Sequence, residues 1–452
     1  MEIPDMDGIN QLDRAKVVGK YYLFAIVTAL GGFLWGYDTG IIGPTLIFVK
    51  PLFHLVPVDV ALLVAGTSVF IAIGALAGGP IADKYGRKKL LMVDGVIYGA
   101  FAVLTAVSTD ALQLIIWRSL IGLAIGFDVV VAAPYIAEFS PIGARGRLVL
   151  TQQIMVLTGI VVSFWAGYFL SFSGNWRLMY GLGLIPALIL VLFRTYLPES
   201  PRWSLSKGRT EEARKSLAKF GIRIGNQGIT PQKEGTFRAM FAQKPIRKSL
   251  LVIGMWFVFA TISGIDVILF YGPSIYKSLG IIGSTAILYG AISEMIGYLS
   301  FMVPFIFVDR WGRKTLSIVG YGGTFVGMVL ITIGLNFYNG HSHLFIIIPL
   351  IFLAMNIYLI FYKIGVTGVI WALQTEGSPT EFRGKFAGIM MALNQIGNFV
   401  ILFLFPIWSS KFGVFSFFVL EGIINFIAVV FVFLLLPETK GIPLEKTSEV
   451  FS

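Results

Sequence analysis

The sequence predicts an all-α polytopic membrane protein with twelve transmembrane helices in two pseudo-symmetric six-helix bundles. Of its 452 residues, 56% are hydrophobic and 13% are charged, whereas a soluble globular chain carries about 25% charged residues. Soluble cores cannot bury this much apolar surface, so a large part of it must face lipid. A chain of this length accommodates about twelve spans of about 20 residues with their loops.

Apolar runs between charged or Pro- and Gly-rich breaks give six spans in each half of the chain. The first six are predicted near residues 21–48, 58–82, 89–108, 111–137, 149–171 and 176–196. The second six are predicted near residues 249–277, 283–308, 314–335, 344–374, 383–408 and 412–436. In the stretch between them, Thr210 is expected to cap a short helix on which Ala213, Leu217 and Phe220 share one face.

Basic residues set the orientation of the spans. With both termini on one side, 29 of the 35 Lys and Arg residues fall on that side, which the positive-inside rule assigns to the cytoplasm. The predicted organisation is a cytoplasmic N-terminus at 1–20, a bundle at 21–196, a cytoplasmic helical linker at 197–248, a bundle at 249–436 and a cytoplasmic tail at 437–452. The net charge of +11 therefore needs no nucleic-acid partner, and the cell membrane is the expected location.

Three short motifs occur once in each half. The segment from Asp83 to Lys88, Asp-Lys-Tyr-Gly-Arg-Lys, returns 226 residues later as Asp-Arg-Trp-Gly-Arg-Lys. A glutamate precedes an Arg-Gly pair by seven residues in both halves, and each half closes on Pro-Glu-Ser or Pro-Glu-Thr. This pattern indicates a duplicated six-span unit, which is typical of a transporter whose solute site lies between its halves.

The repeated charges are predicted to form a cytoplasmic gate. At cytoplasmic span ends, carboxylate–guanidinium pairs and charges at helix ends can hold the two halves closed on that side, and the pairs can break and re-form as the halves rock. The predicted gate residues are Asp83, Gly86, Arg87, Glu138, Arg145, Glu199, Arg202, Asp309, Gly312, Arg313, Glu376, Arg383 and Glu438. The alternative, charges that only set topology, does not explain the repeated glycine or the repeated spacing.

These motifs resemble the signature of the major facilitator superfamily, and more closely that of the sugar porter family. The resemblance is carried by Gly-Gly-Phe-Leu-Trp-Gly-Tyr-Asp-Thr-Gly from Gly31, Pro-Tyr-Ile-Ala-Glu from Pro134, Pro-Glu-Ser-Pro-Arg-Trp from Pro198 and Pro-Glu-Thr-Lys-Gly from Pro437. It covers essentially the whole chain. It implies alternating access, a central solute site and a functional monomer in the lipid bilayer.

Two charged residues inside predicted spans point to proton coupling. Asp38 in span one and Arg118 in span four would each cost about 3 kcal/mol or more alone in hydrocarbon, so they are expected to pair. A carboxylate that exchanges an arginine partner for a proton is a coupling device. The resemblance implies that the pair is the proton carrier and its modulator, and that facilitative relatives lack the acid. Symport is therefore favoured, with facilitative uniport and a purely structural pair as alternatives.

Candidate substrate contacts follow from the resemblance. Gln153, Trp371 and Asn394 match positions that it implies in sugar binding, since amides suit hydroxyl groups and an indole suits a pyranose face. Span seven departs from the family pattern, with Thr261 and Asp266 in place of a glutamine and an asparagine. In span ten, Lys363 replaces a glutamate, and Thr-Gly-Val-Ile from Thr367 replaces the Gly-Pro-x-Pro hinge, which weakens the expected helix break.

The charged departures leave an anionic substrate open. Asp128, at the end of Gly-Leu-Ala-Ile-Gly-Phe-Asp, resembles the acid of phosphate and organic-acid proton symporters, so it is a third proton-coupling candidate. Arg118 and Lys363 would flank an anion. A neutral sugar, a sugar acid or other organic anion, and phosphate all remain alternatives, as does a Lys363 that only extends toward the membrane surface.

Other functions have little support in the sequence. The chain has no cysteine and only three histidines, all in predicted outer loops, so no metal or cofactor is expected. The 51 glycines are better explained by close helix packing than by phosphate loops, because no Gly-x-x-x-x-Gly-Lys-Ser/Thr pattern occurs. An enzyme does not need the duplicated gate, and a sensor would need a longer tail. Asp94, Glu294 and Glu421 have no partner that can be assigned from sequence.

Overall fold

The fold is all-helical throughout the part of the chain that the structure describes. This computed structural model describes residues 19–141, 144–222, 237–338, 344–370, 373, 377, 382–440 and 450. No β-strand occurs among those residues.

The helices lie where the sequence places the spans. In the first half they are α1 (Gly19–Thr28), α2 (Leu30–Leu52), α3 (Pro57–Tyr85), α4 (Arg87–Ala106), α5 (Ala111–Glu138), α6 (Arg145–Ser171), α7 (Trp176–Gly181) and α8 (Leu184–Arg194). Three short helices follow, α9 (Pro201–Ser206), α10 (Thr210–Ala218) and α11 (Phe237–Ala242). The second half contains α12 (Lys244–Ile262), α13 (Ile265–Ser278), α14 (Gly283–Trp311), α15 (Arg313–Tyr338), α16 (Leu344–Phe361), a π-helix (Tyr362–Thr367) and α17 (Arg383–Leu435).

The described helices account for twelve membrane crossings. Ten helical segments are long and apolar enough to cross a membrane, and α1 with α2, bent by 40°, adds an eleventh. One of the ten, Lys385–Leu435, has 51 residues and would extend for about 75 Å, more than twice the roughly 30 Å of hydrocarbon. Gly413, at φ 79° and ψ 158°, breaks this helix. It therefore forms two spans, as the sequence predicts.

The chain divides into two compact units. Residues 19–41, 69–163 and 175–222 belong to the first, and Ile42–Ser68, Phe164–Gly174 and the described residues from 237 onward belong to the second. These units group residues by contact and do not test the bundle boundaries predicted at 21–196 and 249–436, which stay a prediction.

Glycines allow close approach of helix backbones within each unit. A Cβ atom on Gly36 of α2 would lie 1.8 Å from the Val156 carbonyl oxygen of α6, and one on Gly159 would lie 2.2 Å from the Phe33 carbonyl oxygen. In the second unit a Cβ atom on Gly365 would lie 2.2 Å from the Cα atom of Gly320. No side chain fits at these crossings, so the glycines serve helix packing, as in other membrane bundles.

The helix α10 lies in the stretch predicted as a linker. Its expected cap is wrong by one residue, because Thr210 is the first helical residue and Arg209 occupies the cap position without a side-chain bond. The predicted apolar face is present, with Leu217 fully buried. Phe220 stacks on Tyr21, with ring centroids 5.1 Å apart. The stretch therefore packs on the first unit through its apolar side chains.

Candidate functional site

The predicted pair of Asp38 and Arg118 is present in the interior of the first unit. Arg118 Nη2 lies 3.4 Å from Asp38 Oδ2 and 3.4 Å from the Asp38 carbonyl oxygen. The arginine side chain is 0% exposed and the aspartate side chain is 3% exposed. Both helices bring one charge into an apolar interior, so each charge neutralises the other. The separation exceeds the roughly 2.7–2.9 Å of a strong charge-assisted hydrogen bond, which describes a loose pair.

Asp128 does not join this pair and instead contacts an arginine that sequence reasoning missed. Arg194, at the end of α8, is fully buried and donates to Asp128 Oδ1 and to Asp94 Oδ1, the latter at 2.7 Å. Its guanidinium also donates to the Thr28 carbonyl oxygen at 2.7 Å. Arg194 stands at the C-terminal end of its span, which is predicted to be cytoplasmic and where an arginine ordinarily sets topology. The available signal was the two acids on spans three and four that had no partner.

A glutamine on α6 connects Asp128 to the helix of the predicted sugar contact. Gln152 Nε2 donates to Asp128 Oδ2 at 2.9 Å, and the bond is buried. The next residue, Gln153, is the predicted substrate-binding glutamine and is half-buried. The sequence identifies the second glutamine by its resemblance and leaves the first without a role.

In the second unit, two predicted substrate residues lie in contact. Asn394 Nδ2 donates to Thr261 Oγ1 at 2.8 Å, and the hydroxyl donates in turn to the Phe257 carbonyl oxygen at 2.9 Å. Thr261 is near the end of α12, one turn before a break in span seven. An amide and a hydroxyl in contact can donate to and accept from the hydroxyl groups of a polyol.

Span seven breaks between α12 and α13. Gly264 adopts a left-handed conformation at φ 100°, and the Ser263 carbonyl oxygen, which the helix cannot satisfy, accepts from Tyr358 Oη at 2.9 Å and from Asn425 Nδ2 at 2.8 Å. A Cβ atom on Gly264 would lie 3.2 Å from a carboxylate oxygen of Glu421, an acid that is itself fully buried. The break is therefore supported by side chains from two other helices.

Lys363 forms a charged group with two acids of the second unit. Its side chain is 5% exposed and that of Glu294 is 4% exposed, while Asp266 lies in the first turn of α13. The lysine interacts electrostatically with both carboxylates, although no ion pair within 4 Å joins these three among the described residues. The group carries two acids for one cation. Glu294, which had no assigned role, is therefore the residue that sequence reasoning missed here.

The backbone around Lys363 is irregular. The residues Tyr362–Thr367 form a π-helix between α16 and the segment that follows, and Gly365 within it packs against Gly320 of α15. π-Helical turns are rare and often occur at functional sites. The sequence predicts a weakened break here because prolines are missing, and the structure shows how the helix departs from α geometry without them.

The first copy of the gate motif is assembled around a glutamate. Glu199 Oε1 accepts from the backbone N–H groups of Arg87 at 2.9 Å and of Lys88 at 3.1 Å, at the beginning of α4. Arg87 pairs with Asp83 at 2.9 Å and with Glu138 at 3.6 Å. Glu199 thus binds the positive end of a helix, and the sequence assigns it no specific partner.

The second copy repeats this arrangement. Glu438 accepts from the backbone N–H groups of Arg313 at 2.8 Å and of Lys314 at 3.1 Å, at the beginning of α15. Gly312 precedes that helix with φ 84°, as Gly86 precedes α4 with φ 107°. A Cβ atom would lie 2.4 Å from Glu438 Oε2 at Gly312 and 2.3 Å from Glu199 Oε2 at Gly86. The repeated glycine is therefore required for the glutamate to reach the helix end.

The structure describes only some of the remaining predicted residues. Arg145 Nη2 donates to the Ser140 carbonyl oxygen at 3.3 Å, and Arg202 lies in α9. Trp371 and Glu376 lie outside the described residues, as do the side chains of Asp309 and Arg383. Their predicted roles, and that of the gate as a whole, stay predictions.

The fold defines a class of protein. The structure of the xylose transporter XylE from E. coli, in a partially occluded inward open conformation, aligns with a TM-score of 0.79 and covers 94% of this chain and 100% of that chain, at 24% sequence identity. The predicted arrangement of twelve helices in two pseudo-symmetric bundles is confirmed by this likeness. The likeness shows the fold of a multi-pass membrane protein, and the family match over residues 24–451 shows a transporter and not an enzyme.

The family is more specific. The family described as "Sugar (and other) transporter" matches residues 24–451. The glucose transporter GlcP of Staphylococcus epidermidis is 31% identical over 94% of this chain and 96% of its own. The arabinose-proton symporter of Bacillus subtilis is 28% identical over 97% of this chain and 96% of its own. The chain belongs to the sugar transporter family, as the resemblance of its motifs predicts.

We expect Gly86→Ala and Gly312→Ala to destabilise the protein more than Gly208→Ala. All three glycines have positive φ, which costs another residue about 1–3 kcal/mol, but only at Gly86 and Gly312 would the new Cβ also displace a glutamate from a helix end. Nothing lies within 4 Å of a Cβ at Gly208. Thermal unfolding of the purified variants is the measurement. Equal losses at all three positions would mean that the glutamate contacts contribute nothing.

We expect Lys363→Gln to lower the unfolding free energy, on the order of 2 kcal/mol, because it leaves two buried carboxylates without a cation. The double variant Lys363→Gln/Glu294→Gln removes one of these acids and should recover part of the loss. Lys411→Gln, at an exposed position, is the control. If the double variant were no more stable than the single one, Glu294 would have no electrostatic interaction with Lys363.

Proposed function

We propose that the protein is a sugar–proton symporter that works by alternating access. The single observation that carries the proposal is the buried pair of Asp38 and Arg118, whose opposite charges lie 3.4 Å apart. The names of the relatives support the same function, since one is a glucose transporter and another an arabinose-proton symporter.

The pair can exchange a proton for a salt bridge. When Asp38 is ionised, its charge and that of Arg118 cancel, and the pair tolerates an apolar surrounding. When a proton binds to Asp38 Oδ2, the carboxyl group becomes neutral and the attraction to the guanidinium ends. Arg118 keeps the carbonyl oxygen of Asp38 as an acceptor but loses the attraction of an ionised Asp38. Proton binding therefore changes the relation between α2 and α5, which is what coupling to a conformational change requires.

The charge balance favours a neutral sugar over an anion. An anionic ligand needs a cation whose charge is available, and Arg118 and Lys363 are the residues expected to supply it. Arg118 is paired with Asp38, and Lys363 interacts with both Asp266 and Glu294. An anion near Lys363 would therefore compete with these two acids for one cation. Sugar acids and phosphate remain the alternatives that an experiment must exclude.

The proposed sugar contacts are polar groups without a net charge. Gln153 on α6 and the linked pair of Thr261 and Asn394 supply donors and acceptors for sugar hydroxyl groups, and the bond between the latter two can open to receive a ligand. Trp371 is proposed, on the family resemblance, to cover the sugar ring.

The proposed setting is the plasma membrane, with both termini in the cytoplasm. It rests on the distribution of basic residues, 29 of 35 on the side of the termini. The partners are the transported sugar, protons and the lipid bilayer. Nucleic acid is not among them, and the functional unit is a monomer.

We expect Asp38→Asn to abolish sugar-driven proton uptake while sugar exchange continues. Asparagine resembles the protonated acid in shape but cannot release a proton, so binding persists and coupling is lost. The measurement is the internal pH of proteoliposomes under a potassium-diffusion potential, after addition of neutral sugars, sugar acids and phosphate in turn. Acidification by a neutral sugar in the unmodified protein is the expected result.

Asp110→Asn is the matched control, because Asp110 is an exposed acid at the beginning of α5 and asparagine caps a helix equally well. Retained proton uptake in Asp38→Asn would refute the coupling role. Sugar transport without acidification in the unmodified protein would indicate a facilitative uniporter, and acidification by anions alone would assign an anionic substrate.

A further inference from the structure

The cluster around Arg194 contains more negative than positive charge in a fully buried place. The Arg194 side chain is 0% exposed, and those of Asp94 and Asp128 are 4% and 5% exposed. With both acids ionised, one guanidinium would face two carboxylates. A net charge without a counterion is strongly disfavoured inside a membrane protein, and an acidic group avoids it by binding a proton.

We infer that Asp94, Asp128 and Arg194 form a proton-binding site in which the two aspartates share one proton. The site is separate from the pair of Asp38 and Arg118. Of its three residues, the sequence assigns a proton-coupling role only to Asp128. Its ligand is a hydrogen ion, and no other charge is needed to make the cluster neutral.

The hydrogen bonds indicate which acid holds the proton. Both oxygens of Asp128 accept bonds, one from Arg194 and one from Gln152, as an ionised carboxylate does. Asp94 accepts from Arg194 through Oδ1 only, and its Oδ2 is buried without a hydrogen-bond partner among the described residues. The two carboxyl groups lie within hydrogen-bonding reach of each other. A proton on Asp94 would make its carboxyl group a hydrogen-bond donor beside Asp128.

The groups that face the cluster come from five helices. Titratable or charged groups are Asp94 on α4, Asp128 and Tyr135 on α5, and Arg194 on α8. Helix α1 contributes the Thr28 carbonyl oxygen and α6 contributes Gln152. Arg194 is thus the only cation that faces the two acids among the described residues, and no lysine or histidine of these helices supplies a second.

The cluster is connected to the helix that carries a proposed sugar contact. Gln152, which holds Asp128, directly precedes Gln153 on α6. A Cβ atom on Gly31 of α2 would lie 2.0 Å from Asp128 Oδ1, so α2 packs on the carboxylate with no space for water between them. Loss of the proton would place an uncompensated charge among α1, α4, α5, α6 and α8, against which α2 also packs.

The sign of the pH effect follows from proton counting. An aspartate in the unfolded chain binds a proton only below about pH 4. Above that pH the folded protein holds one proton more than the unfolded chain, so the unfolding free energy falls as the pH rises until the shared proton is released. The contribution of this site to the unfolding free energy is therefore greatest at acidic pH and is lost as the pH becomes alkaline.

The test is the melting temperature of the full chain in detergent, from about pH 5 to about pH 9, for the unmodified protein and Asp94→Asn. Asparagine has the shape of the protonated acid and leaves one acid for one guanidinium. We expect the melting temperature of the unmodified protein to fall by several degrees between acidic and alkaline pH, and that of Asp94→Asn to fall clearly less. Asp110→Asn, at an exposed acid, should follow the unmodified protein. Parallel curves for the unmodified protein and Asp94→Asn would overturn the inference.

Asp128→Asn is the second variant, because it also leaves a balanced pair, and it should flatten the curve in the same way. If neither variant folds, the infrared spectrum of the unmodified protein with isotope-labelled aspartate decides. A protonated aspartate carbonyl band at neutral pH that vanishes in alkali supports the site, and its absence refutes it.

A transport measurement distinguishes failure of this inference from failure of the proposed function. Among the tests of the proton site, only this measurement depends on the proposed sugar transport. The measurement is the rate of labelled-sugar exchange with the same pH on both sides of the vesicle membrane. Each rate is divided by the rate that the same protein shows at acidic pH. This relative rate should decline at alkaline pH in the unmodified protein and decline less in Asp94→Asn. If no sugar is exchanged while the melting curves differ as expected, the proposed sugar transport fails and the proton site stands.

Discussion

Charge neutrality in a hydrocarbon surrounding is the constraint on which the interior of this protein depends. An ionised side chain in a span costs several kcal/mol unless another charge or a proton compensates it. In the first unit Asp38 is compensated by Arg118, and Asp128 is compensated by Arg194. These contacts fix which faces of α2, α5 and α8 turn inward. The packing of the apolar residues then follows from the position of the charged ones.

The two halves share a frame and differ in their interior chemistry. Glu199 and Glu438 each bind the N-terminus of the third span of their own half in the same way, beside a glycine with positive φ. The interior charges are not repeated in this manner. The first unit pairs aspartates with arginines at direct contact, whereas Lys363 in the second unit interacts with its acids at longer range. The repeated helix-end contacts belong to the duplicated six-span unit, and the unrepeated interior charges distinguish its two copies.

The sequence predicts the spans well because hydropathy and basic-residue counts are properties of single segments. It predicts the contact of Asp38 with Arg118 because each is alone in an apolar run and needs a partner. It fails for Arg194, whose acids lie 66 and 100 residues away along the chain, because an arginine at a span end has an ordinary explanation. It also assigns no specific partner to Glu199, because the contact of this carboxylate with backbone N–H groups depends on the local geometry at Gly86. The family resemblance supplies Gln153 and Asn394, which spacing alone does not identify.

The two acidic sites of the first unit respond to a proton in opposite ways. Asp38 and Arg118 are neutral together when no proton is bound, so protonation removes the negative charge of the pair. Asp94, Asp128 and Arg194 are neutral together when one proton is bound, so release of the proton creates the imbalance. The first arrangement suits a proton that binds and leaves in each transport cycle, because occupancy itself disturbs the pair. The second suits a proton that is retained while the protein works, because its loss disturbs five packed helices. A transporter with both can use the first site to couple the solute to the proton gradient and the second to hold the helices that carry that coupling in place.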